Sequence, residues 1–126
     1  MVQADISQLS AETAEWRQIL RNYRDDFQEC KMLLQQNVKQ SFTKEQMQDV
    51  EHFHNQFHIQ LINIHDLKQQ IKQHERRIQS EQTASEGVSE RTYEEHEQLL
   101  DQFLTLESRL QELRSQFDQF INATNC

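Results

Sequence analysis

The chain has 126 residues, 35% of them hydrophobic, and 13 Lys and Arg against 21 Asp and Glu give it a net charge of −8. Proline is absent and glycine occurs once, at Gly87, so the tight turns of a β-sandwich or a doubly wound sheet lack the residues they require. An acidic chain with no run of roughly 18 apolar residues is also neither a general phosphate binder nor membrane-spanning.

The first predicted element is a helix over about 5–40. Residues recur at alternating steps of four and three through Leu9, Thr13, Trp16, Leu20, Tyr23, Phe27, Cys30, Leu34 and Asn37, a heptad seam with Leu9 at d and Thr13 at a. Asp5 followed by Gln8 resembles a capping box at its start. Residues 1–8 carry no basic or apolar leader pattern, and two cysteines without such a leader point to a reducing, cytoplasmic setting.

The second helix is expected over about 43–82, on the stripe Val50, His54, Phe57, Leu61, Ile64, Ile71 and Ile78, with Leu67 and His74 taking over where Lys68 and Glu75 occupy a positions. The first seam does not continue into this one, because in register it would bury Ser41, Lys44, Gln48 and Glu51. A turn at 41–43 absorbs the slip, and Thr43 with Gln46 forms a second capping box. The alternative is one continuous rod of the first two helices, a long hairpin that completes its core by dimerising.

Residues 83–89 hold the only glycine and three hydroxyl side chains, which marks a loop. A third helix over about 90–122 follows on the seam Leu99, Phe103, Leu106, Leu110, Leu113, Phe117 and Phe120. Three amphipathic segments of similar length joined by short connections predict an all-α, antiparallel up-down-up three-helix bundle with coiled-coil-like packing, in one helical domain over 1–126. The basic run Lys68, Lys72, Arg76 and Arg77 is expected to lie beside the acids that crowd the third helix, Glu90, Glu94, Glu95, Glu97 and Asp101. This layout, with Trp16 on the first seam, resembles a spectrin-type repeat, a likeness that implies a three-helix fold and carries no activity across.

Six histidines are present, and four fall within fourteen residues of the second helix. Spacings of four and seven gather His54, His58 and His65 on one side, the candidates for a metal or proton site. No Glu-x-x-His pair recurs on a second helix to complete a metal site, so edge-of-core packing is the expectation for them. The aromatic stripe is expected to be core, Cys30 an inert buried thiol, and the sequon at Asn122 fortuitous. No phosphate loop, nucleophile elbow or Cys–His pairing is present, so neither catalysis nor a cofactor is expected. Ile59 and Ile62 at f and b positions, and Leu104 at another b position, are apolar where a monomeric bundle is polar, and they are the candidate partner contacts. The sequence therefore points to a non-enzymatic helical interaction or assembly protein. Its expected occupant is a protein partner or a second copy, with no nucleic acid, membrane or small-molecule substrate. The alternative is a metal- or pH-responsive binder built on the histidine stripe.

Overall fold

In the computed structural model the described residues are 5–37, 43–83 and 87–124. They form three helices, α1 (Asp5–Asn37), α2 (Lys44–Thr83) and α3 (Glu90–Thr124), with no strand among the described residues. At about 1.5 Å per residue each helix is roughly 50–60 Å long. Cross-helix pairs fix the directions. Phe27 meets Phe57 and Arg17 meets Glu75, so α2 runs back along α1; Phe53 meets Phe117 and His74 meets Glu95, so α3 turns again and lies parallel to α1. The path is up-down-up, and α1 and α2 fold back on each other within one chain, which removes the continuous rod.

The helix starts have local causes. At the head of α2 the Thr43 N–H donates to Gln46 Oε1 (2.8 Å) and the Gln46 N–H donates to Thr43 Oγ1 (3.1 Å), the expected capping box. Residues Ser41 and Phe42 of the expected turn, and the Asp5 side chain expected to cap α1, lie outside what is described. Gly87 takes a positive φ of 77°, a backbone state that costs glycine no Cβ clash, and the chain then enters α3 through Ser89. The Ser89 hydroxyl accepts the Thr92 N–H, while its carbonyl accepts the Tyr93 N–H. From the far side, the Glu81 carboxylate near the end of α2 accepts the Ser89 N–H and hydroxyl and the Thr92 hydroxyl.

The seams of α1 and α3 are buried as read, with Leu9, Thr13, Trp16, Leu20, Phe27, Cys30 and Leu34 on one and Leu99, Phe103, Leu106, Leu110, Leu113 and Phe117 on the other. Tyr23 and Phe120 are partly buried. On α2 the expected stripe is buried except at His54 and Leu61, and Phe53 joins it. Val50, Phe53, Phe57, Ile64, Leu67, Ile71, His74 and Ile78 are buried, whereas His54 and Leu61 are half-buried. The physical reason is that α2 packs extensively against both other helices, while α1 and α3 approach each other closely at few points. A helix buried along two flanks carries two overlapping apolar stripes, and the one nearer the bundle axis is deepest.

The aromatic end of the core is a ring cluster, with Phe57 set edge-on to Phe27 and Phe117 at centroid separations of 4.9 and 5.0 Å. Beside it Arg114 ties α3 to α1. Its guanidinium donates to Cys30 Sγ (3.2 Å), pairs with Asp26 (3.1 Å) and Asp118 (3.0 Å), and lies over the Phe117 ring.

Candidate functional site

Toward the other end, four polar side chains sit at core positions: Thr13, His74, Thr92 and His96. A buried polar group is costly unless it is hydrogen-bonded. Thr13 satisfies itself by donating to the Ser10 carbonyl one turn back, and Thr92 donates to Glu81. The histidines solve the problem together, in a chain that crosses all three helices.

His74 of α2 and His96 of α3 are 2% and 4% exposed, and their rings face each other with His74 Nε2 at 2.9 Å from His96 Nδ1. The outer nitrogens reach carboxylates at the two surfaces: His74 Nδ1 lies 2.6 Å from Glu95 Oε1, and His96 Nε2 lies 2.7 Å from Glu12 Oε1 of α1. Arg77 donates to the second oxygen of Glu95 at 3.3 Å. Trp16 covers the His96 ring at a centroid distance of 4.7 Å and stacks on Phe103 at 5.9 Å. The His96 hydrogen bond holds Glu12 below the usual carboxylate range in spite of the opposing cost of burial. Burial pushes His74 below the usual histidine range, against the pull of Glu95.

The Glu12 end of this chain opens into a cleft of about 430 Å³ between α1 and α3. Leu9, Tyr93, Leu100 and Leu104 supply its apolar surface, Glu12, Glu97 and Asp101 supply three acids, and the buried His96 is the basic side chain of the lining, with no lysine or arginine. Tyr93, Leu100 and Leu104 are seven and four residues apart, so they form an exposed stripe on α3 beside the buried one.

A second charged feature lies where α1 meets α2. Lys68 is pushed below the usual lysine range, first by burial and then by Arg24, Arg21, Lys72 and Arg17, so five cations gather on one face. Arg17 is balanced there by Glu75 at 2.8 Å. The expected pairing of the basic run with the acids of α3 is thus met by Arg77 with Glu95 but not by Lys68, because the phase of α2 sets Lys68 near Arg17, Arg21 and Arg24 of α1.

The residues singled out in the sequence are not brought together. His58 and His65 are exposed and His54 is half-buried beside Leu34 and Val50. Among the described residues no group of three His, Cys, Asp or Glu is placed to hold a metal ion. Ile59, Ile62 and Leu104 are all exposed, at 46, 48 and 52%, but Leu104 lines the α1–α3 cleft and the two isoleucines stand on α2, which does not border it. The linked pair His74–His96 was not foreseen, although His96 falls on the extended α3 seam three residues before Leu99. No described helix is long and apolar enough to cross a membrane. Compared with protein-family models, curated proteins and solved structures, the chain matches none.

Proposed function

We propose that the chain is a non-enzymatic helical interaction module that receives a basic amphipathic helix of a partner protein in the α1–α3 cleft. The carrying observation is the exposed stripe Tyr93, Leu100 and Leu104, set beside Leu9 and rimmed by Glu12, Glu97 and Asp101. Spacings of seven and four match the knobs of an incoming helix, and three acids with no lysine or arginine among the lining residues select lysine or arginine on its flanks. A second copy is a poorer occupant because two chains of charge −8 repel. The buried histidines support a binding rather than a catalytic role, since all four ring nitrogens are engaged within the bundle and none is left to act on a substrate. Cys30, a free thiol buried in the core, fits a reducing, cytoplasmic setting.

Calorimetry with a synthetic amphipathic helix of leucine and lysine tests the reading, with a leucine–glutamate helix as control. Micromolar binding of the first alone is expected, abolished in Leu100→Glu with Leu104→Glu and retained in Ile59→Glu with Ile62→Glu. No heat from the leucine–lysine helix, equal heat in the cleft variant, or a dimer in light scattering that the cleft variant dissolves would each reject a basic helix as the occupant.

A further inference from the structure

The chain Glu12–His96–His74–Glu95 has three links, and each link needs one hydrogen. Carboxylate oxygens accept, so the outer ring nitrogens donate, His96 Nε2–H to Glu12 and His74 Nδ1–H to Glu95. A neutral imidazole owns a single N–H. Two neutral rings would spend both outward and leave His74 Nε2 and His96 Nδ1 facing each other, lone pair to lone pair, at 2.9 Å in a water-excluded layer. That separation is a hydrogen bond only if a third proton is present. The count is the same wherever the proton rests, because a protonated carboxyl in place of an imidazolium also brings the total to three.

We infer that the His74–His96 pair is a binding site for one proton, which closes the link between α2 and α3 and so latches all three helices together at the floor of the α1–α3 cleft. The surrounding charges favour its retention. Glu12 faces the pair from α1, Glu95 from α3 and Arg77 from α2, a balance of two negative charges to one positive. Glu97 and Asp101 add further negative charge at the mouth of the cleft, and the neighbouring Arg17–Glu75 pair is self-balanced. As an imidazolium the protonated ring donates from both nitrogens, while the other ring keeps its outward N–H and accepts across the 2.9 Å link.

The latch is closed by one proton and opened by either error. As pH rises and the third proton leaves, lone pairs face each other. As pH falls through the depressed value of His74, below the ordinary 6.5, a fourth proton sets N–H against N–H. Glu12 and His96 line the cleft, so docking there follows the same bell-shaped dependence; that consequence, unlike the proton itself, rests on the reading of the cleft.

The proton is read on the free, full-length, ¹⁵N-labelled chain by long-range ¹H–¹⁵N correlation of the imidazoles, which separates it from any failure of the cleft to bind a helix. At neutral pH the expected pattern is one ring protonated on both nitrogens and the other carrying only its outward N–H. Glu12→Gln, which keeps an acceptor but removes its charge, should weaken the third proton about tenfold. Two neutral rings in the folded wild-type protein at neutral pH with both N–H groups turned outward, His96 as the Nε2–H and His74 as the Nδ1–H tautomer, or a pair that keeps its proton equally well in Glu12→Gln, would overturn the inference.

Discussion

Glu81 Oε1 accepts the backbone N–H of Ser89 at 2.6 Å, so a side chain near the end of α2 clamps the residue that caps α3. Burial alone would raise this carboxyl, but the hydrogen bonds from Thr92 and Ser89 outweigh it and hold Glu81 below its ordinary 4.5. A depressed carboxyl contributes stability that is present above that ordinary value and is lost as pH falls through the folded one. Glu81→Ala should cost about 2 kcal/mol in urea unfolding at neutral pH, since it frees a cap and leaves the hydrogen of the buried Thr92 hydroxyl without its acceptor. The gap between variant and wild type should close in acid. A gap that stays constant from neutral pH down to strong acid would refute the linkage.

The histidine pair should behave as a unit. His74→Leu and His96→Leu each leave a buried ring nitrogen without its partner and are expected to cost about 2–3 kcal/mol. In the double variant both rings are gone, and Glu12 and Glu95, each partly exposed, can turn to water. Its cost should fall short of the sum by about 1 kcal/mol or more, measured as a double-mutant cycle. Simple additivity would mean that the rings are not coupled.

Register on α2 can be checked by truncation. Phe57 is fully buried among Phe27, Phe53 and Phe117, and Phe57→Ala should cost about 3–5 kcal/mol. Leu61, only partly buried, should lose about 1–2 kcal/mol on change to Ala, and Phe53→Ala should cost more than Leu61→Ala. The reverse order would restore Leu61 to the buried stripe in place of Phe53, as expected from the sequence.

Cys30 should be silent until the bundle opens. Burial pushes its thiol up to about 11, and Arg114 only partly offsets this. In a Cys126→Ser background, a thiol-exchange reagent at neutral pH should find no fast-reacting group in the folded protein and one in urea. Rapid labelling of the folded chain would contradict the burial of Cys30.

The legibility of the fold varied with how many neighbours each helix has. On α1 and α3 one heptad stripe meets the core, so Leu9 to Leu34 and Leu99 to Phe117 could be read directly. On α2 Phe53 and His54 are adjacent, both suit an apolar flank, and periodicity alone does not say which side faces the axis. Even the histidine pair left a trace. Counting equally outward from the loop at 83–89 brings 74 roughly level with 96–98, since both helices rise at the same rate. What the sequence withheld was the ring orientation that joins two carboxylates through two imidazoles, because that depends on rotamers set by Trp16 and the packing around it.

The histidine layer also divides the apolar interior. On one side lies the large core from Trp16 to the phenylalanine cluster; on the other, Leu9, Ile78 and Val88 form a small cap with Ile6 packed against it. So few side chains give that end little to hold it beyond Glu81 and the histidine links, so it should open as a separate unit at lower free energy than the rest. Amide hydrogens near Leu9, Ile78 and Val88 would then exchange with solvent well before those around Phe57, with the boundary of protection drawn at His74 and His96.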